Sequence, residues 1–204
     1  MLTLYYSPGA CSMAAHIILE ESGEKYQPQK IDTSKGEQRT PEYLKINPMG
    51  RVPALKLDDG SPLTENTAIL PYLGKRFNVW PADPVAEARA HSLIGFLAAS
   101  VHPAHAHFNR PERYATDQAA FPTIKEQGLK SFHGYLKDLD GKLAGREYFS
   151  DTYSALDPYG LVFYVWGVRR GLPMPELKNF TAFKDRMAKR PGVQKVWEDE
   201  KVSI

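Results

Sequence analysis

Cys11 is the only cysteine in the chain, and its position gives it chemical meaning. It stands in Ser7-Pro8-Gly9-Ala10-Cys11-Ser12, between the apolar run Leu2-Thr3-Leu4-Tyr5-Tyr6 and a segment that begins an amphipathic helix. A thiol at a helix N-terminus meets the positive end of the helix dipole and backbone N–H groups without intrahelical partners, and both favour thiolate. The pattern offers a nucleophilic or redox cysteine, although the same place suits a small buried hydrophobe. Ser12 reads as the helix cap.

Three further patterns bear on chemistry. In Asn47-Pro48-Met49-Gly50-Arg51-Val52-Pro53-Ala54-Leu55 a loop opens into a strand through Val-Pro. A cis Val52–Pro53 bond would turn the Val52 amide and carbonyl toward an extended peptide, but local preference is for trans. In Leu63-Thr64-Glu65-Asn66, Thr64 reads as a cap, and the free amides of Glu65 and Asn66 suit a carboxylate. The Glu65 side chain suits either an ammonium group or the helix dipole. Ser154-Ala155-Leu156-Asp157 reads as a structural capping box with Asp in the place of Glu. His102, His105 and His107 surround Pro103, and only His102 and His105 share a helical face. No carboxylate or thiolate stands near them to complete a metal site, so no metal is expected.

These residues need elements to hold them. Leu2–Tyr6, Tyr26–Ile31 and Val52–Leu57 read as strands, and Asp58-Asp59-Gly60 as a hairpin turn returning through Ser61–Leu63. Ser12–Gly23, Pro41–Ile46 (capped by Thr40) and Glu65–Phe77 (kinked at Pro71) read as helices. The order β-α-β-α-β-β-α implies one parallel crossover and an antiparallel edge. Beyond Pro81–Pro84 the strand signals stop. Asp83–Phe108, Asp117–Leu143, Leu156–Arg170, Glu176–Arg190 and Val193–Glu200 all read as helices. An α/β domain over residues 1–80 therefore precedes an all-α domain over 84–204.

Composition narrows the class. The chain has 204 residues and a net charge of +2, with acids and bases interleaved and Arg169-Arg170 the nearest thing to a basic cluster. That speaks against nucleic acid. No apolar run approaches the ~20 residues that cross a bilayer, and the start lacks the pattern of a signal peptide. One cysteine excludes an internal disulfide and fits a reducing, cytoplasmic setting.

Taken together, Tyr5 through Ser12, Asn47-Pro48 through Leu55, Leu63-Thr64-Glu65, Ser154 through Asp157, and Arg190-Pro191-Gly192-Val193 resemble the cytosolic glutathione transferases. Among these the bacterial beta class, with cysteine in its first βα turn, is most similar. The resemblance spans essentially the whole chain. It implies a thioredoxin-like N-terminal domain, a helical C-terminal domain, a homodimer and a cis Pro53. Glutathione is then the substrate, with Val52 and Pro53 at its cysteinyl unit and Glu65 and Asn66 at its γ-glutamyl end. Lys35 would hold its glycyl carboxylate, and Cys11, Ser12 and His102 would surround its sulfur. Where the family often carries lysine after that histidine, this chain has Pro103.

The expected activity is detoxifying conjugation of the glutathione thiolate to small, mostly apolar electrophiles. The pocket wall would come from His105, Phe108, Tyr114 and Trp166. Two other readings stay open: a disulfide or peroxide reductase working through a Cys11–glutathione mixed disulfide, and a non-catalytic binder of apolar ligands. With no second cysteine, the redox cycle would need free glutathione to resolve the mixed disulfide.

Overall fold

The computed structural model describes residues 1–204. Its sheet has four strands, β1 (Thr3–Tyr6), β2 (Gln27–Lys30), β3 (Ala54–Lys56) and β4 (Pro62–Thr64), in the order β2-β1-β3-β4. β1 and β2 run parallel, joined by the crossover helix α1 (Met13–Ser22), while β3 and β4 are antiparallel to their neighbours. This is the parallel crossover and antiparallel edge expected from the sequence, in the thioredoxin-like arrangement. The Val52–Pro53 bond is cis, so the family resemblance rather than the local preference for trans held.

α1 departs from its expected amphipathic form. Met13 through Leu19 are all buried, because α3 (Asn66–Arg76), α7 (Leu156–Arg169) and α9 (Pro191–Glu200) all pack against it. Thr40 does cap α2 (Pro41–Leu44), its hydroxyl accepting the Tyr43 amide at 3.3 Å. α3 stays helical through Pro71, which cannot donate to the Thr67 carbonyl.

From Pro84 onward every regular element is helical. The single helix expected over Asp83–Phe108 is divided. α4 (Pro84–Phe96) is capped by Asp83, a π-helical turn follows at Leu97–Val101, and α5 runs from His102 to Asn109. The wide turn ends just before Pro103, where an α-helical register would lose a donor and crowd the preceding turn. α6 (Phe121–Lys142), the central α7, α8 (Lys178–Met187) and α9 complete this half.

The expected capping box forms in modified shape. Asp157 accepts the Ser154 amide at 2.7 Å, the Ser154 hydroxyl at 3.1 Å and the Phe149 amide at 2.9 Å. Asp157 thus ties the preceding loop to the first turn of a helix buried from Leu156 to Gly167. One hydrophobic cluster runs through both halves, from Leu4 and Ile17 to Phe163 and Val196. No helix is long and apolar enough to cross a membrane.

Candidate active site

A cleft of about 370 Å³ lies where the β1–α1 turn, the loop before β3 and the start of α3 face α5 and α7. That volume suits a small ligand. Cys11, Val52, Pro53, Glu65, Asn66, His102, His105, Tyr114 and Trp166 all line it. Three expected residues do not.

Ser12 is fully buried beneath the wall. Its hydroxyl accepts the Ser7 amide at 3.1 Å and donates to the Ser7 carbonyl at 3.2 Å. Its backbone is already helical and its side chain makes no cap bond. The cap is therefore a brace of the turn, and its one proton is committed there. Lys35 is exposed and leans to Asp32 at 3.6 Å, because the Asp32 carboxylate organises the turn through Ser34 and Lys35. Phe108 lies behind the wall, its ring 5.2 Å from the Arg170 guanidinium carbon.

The turn that carries Cys11 is set by Gly9. Its φ of +67° favours glycine, and a Cβ there would run into the Arg169 guanidinium. Trp166 Nε1 donates to the Gly9 carbonyl at 3.0 Å, so a residue expected in the pocket wall also anchors the turn. The amides of Cys11 and Ser12 have no backbone acceptor, and of the two residues only Cys11 borders the cleft.

Cys11 itself is not the acidic thiol expected at a helix start. Loss of hydration, and then the Glu65 carboxylate, push it up to about 12, while its own amide and Arg110 pull weakly the other way. Burial outweighs the dipole. The thiol donates to the Val52 carbonyl at 3.5 Å, and the Cys11 carbonyl accepts from Asn66 Nδ2 at 3.0 Å.

The opposite strand of the cleft is equally held. The Arg51 carbonyl accepts from both Tyr43 Oη at 2.6 Å and Asn47 Nδ2 at 2.7 Å, which fixes the chain entering Val52. The Val52 amide has no partner in the chain and is free for an extended ligand. Glu65 is not in the first turn of α3 but precedes it with φ +68° and ψ 130°. Thr64, expected as the cap, is the last residue of β4. A left-handed non-glycine costs about 1 kcal/mol or more, and such strain gathers at ligand sites. Here it leaves the Asn66 amide free beside the Glu65 carboxylate.

Burial disfavours the charged form of two of the histidines. Burial, then Arg110, Arg51 and Arg113, lower His102 to about 4. Its Nδ1 lies 3.3 Å from Tyr159 Oη, and its ring meets Trp166 edge-on. Burial, then Arg170, lower His105 to about 3. His105 Nε2 accepts from Arg170 Nε at 3.2 Å, and the ring stacks on Trp166 at 4.1 Å. His107 leaves this group, bonding the Pro103 carbonyl and stacking on Tyr114.

Sequence reasoning missed the arginines. Arg51, Arg110, Arg113, Arg169 and Arg170 all line the cleft, so its wall is not the apolar one expected. Arg169-Arg170 and the Arg110/Arg113 pair are each close along the chain; folding brings these two pairs and Arg51 together. Tyr159, which reaches the cleft from α7 toward His102, was also missed.

Residues 1–75 match the family model described as glutathione S-transferase, N-terminal domain. Glutathione S-transferase GstA of Escherichia coli O157:H7 is 32% identical over 201 residues, covering 95% of this chain and 96% of that protein. A glutathione transferase homologue from Sulfitobacter, solved with bound glutathione, superposes with a TM-score of 0.93 at 35% identity, over 100% of this chain and 99% of the other. The bacterial beta class glutathione S-transferase of Sphingomonas chungbukensis superposes with a TM-score of 0.87 at 31% identity, over 98% and 100%.

Proposed function

The chain belongs to the glutathione S-transferase family, and on that premise we propose that it joins the glutathione sulfur to small electrophiles in the cleft beside Cys11. The observation that carries this reading is the convergence of unspent backbone donors on one groove. The Val52 amide, the Asn66 amide and the Cys11 amide are all free along it. An extended γ-glutamyl tripeptide matches that series. Its cysteinyl unit pairs with Val52 beside Pro53, its γ-glutamyl carboxylate with the start of α3, and its ammonium with Glu65. Lys35 is exposed and outside the cleft, whereas Arg51 lines it and is the cation we assign to the glycyl carboxylate.

The sulfur then sits over the start of α1, where free amides favour its charged form. A free thiol is only a few per cent ionised at neutral pH, so lowering its pKa by about two units yields roughly tenfold or more thiolate. The thiolate attacks the electrophilic carbon, a carbon–sulfur bond forms, and the leaving group departs with the bonding pair. Neutral His102 supplies an N–H or a lone pair rather than a positive charge. Ser12 acts through the turn it braces. His105, Trp166 and Tyr114 face the acceptor. With its thiol raised by burial and donating to the Val52 carbonyl, Cys11 is read as a neighbour of the sulfur rather than its chemical partner. That favours conjugation over a mixed-disulfide cycle. We also infer a homodimer in the cytoplasm, in line with the family and with a single cysteine suited to a reducing compartment.

The test is conjugation of 1-chloro-2,4-dinitrobenzene by wild type and Cys11→Ala. Both should turn over, the variant within about tenfold of wild type. Tight glutathione binding without wild-type turnover would instead mark a binding protein.

A further inference from the structure

The cleft carries more positive charge than glutathione consumes. Five guanidinium groups line it against one carboxylate, that of Glu65. The ion-paired arginines of the chain lie elsewhere, at Arg76, Arg146 and Arg190. Arg170 is already oriented, bonding His105 and Asn109 Oδ1 at 2.7 Å, and Arg169 touches the Gly9 carbonyl at 3.4 Å. Arg110 and Arg113 are different. They bracket a short turn after α5, in which the Arg113 amide bonds the Arg110 carbonyl at 3.1 Å. Neither guanidinium has an acceptor in the chain. Bound glutathione, with its thiol ionised, brings two carboxylates, one ammonium and one thiolate, so about half of the positive excess survives its binding.

Arg110 is half-buried and Arg113 exposed at the rim of the cleft, where Arg51 and Arg110 repel the Arg113 guanidinium and only Glu112 offsets them, so the rim presents a net positive field that attracts an anion. Guanidinium pairs suit carboxylate, sulfonate and phosphate groups in particular, through two parallel N–H donors. We propose that the second substrate is an anionic electrophile whose charged group is received by Arg110 and Arg113. Its reactive carbon lies toward Cys11, and its body lies against Trp166 and His105. This rests on the glutathione transferase reading and names the acceptor class for the same site.

The experiment compares two aromatic chlorides, neutral 1-chloro-2,4-dinitrobenzene and anionic 4-chloro-3,5-dinitrobenzoate. Each enzymatic kcat/KM is divided by the spontaneous rate with glutathione, and glutathione binding is measured separately by calorimetry. Wild type should favour the benzoate about tenfold or more, as a charge-assisted contact allows. Arg113→Gln and the Arg110→Gln/Arg113→Gln pair should collapse that ratio toward one, mainly through KM for the benzoate. Added salt should lower it in wild type more than in the variants. Equal enhancement of the two chlorides by a wild type that binds glutathione would overturn the anionic acceptor alone. So would variants that bind glutathione weakly and lose both activities in parallel, since the arginines would then serve the tripeptide. Absence of glutathione binding to wild type would overturn the transferase reading itself, and this proposal with it.

Discussion

Glu200, in the last turn of α9, accepts the Gly9 amide at 2.7 Å although 191 positions separate them. Its other oxygen lies 2.7 Å from His16 Nδ1. The carboxylate is buried between α9 and α1 and has both oxygens engaged. With Trp166 on the Gly9 carbonyl, both backbone polar groups of Gly9 in the Cys11 turn are held by the helical half. The geometry of the reactive turn is thus set by side chains that lie far along the chain.

Glu200→Ala should unfold at lower urea concentration, by about 2–4 kcal/mol, since it leaves a buried amide and a buried imidazole unpaired. Glu200→Gln keeps one acceptor oxygen and should recover part of that loss. Glutathione titrations should show weaker binding in the alanine variant, at temperatures where it remains folded. Unchanged affinity would mean that the turn holds its shape without this contact.

Cys11 should alkylate slowly. With its thiol pushed up to about 12, iodoacetamide at pH 7.5 should react far more slowly than with a free thiol of pKa about 8.5. Intact mass after incubation with oxidised glutathione should show little adduct. A labelling midpoint below pH 8 would restore the mixed-disulfide chemistry.

The acid limb of stability should reflect His102 and His105. Folded, they protonate only near about 4 and about 3, whereas in the unfolded chain they do so near 6.5. Below 6.5 the unfolded chain binds protons the native state refuses, so the stability these groups give above 6.5 is lost as pH falls toward 4 and below. His105→Asn should therefore lose less stability than wild type between pH 7.5 and 5. A parallel decline in both proteins would contradict the burial of a neutral imidazole.

Asp157 works with the opposite sign. Burial raises it to about 7, against the pull of its hydrogen bonds to Phe149 and Ser154. The native state then holds a proton that the unfolded chain releases near 4, so its contribution falls as pH rises from about 4 through about 7. The stability gap between wild type and Asp157→Asn should be wider at pH 5 than at pH 7.5, measured by urea midpoints. A gap that grows with pH would show an ordinary ionised cap.

What was legible along the chain was local. The Cys11 turn, the Thr40 cap, the Asp-Gly hairpin and the reach of Asp157 back to Ser154 each depend on residues a few positions apart. Burial was not legible: it raises the helix-start thiol against the pull of the dipole and encloses the α1 face expected to be amphipathic. The left-handed Glu65 leaves no trace in residue type, since glutamate does not favour that conformation. The arginine wall is spread over three separate segments, Arg51, the Arg110–Arg113 turn and Arg169-Arg170, each ordinary in its own surroundings. Pro103 could be read as a disturbance, but not that a π-helical turn would absorb it.

The most direct measurement is a crystal structure of the protein grown with glutathione. The tripeptide should lie extended along Val52 with its γ-glutamyl end at Glu65 and Asn66 and its sulfur in contact with the Cys11 amide. A groove left empty at saturating glutathione, or a tripeptide whose sulfur points away from the start of α1, would contradict the central claim.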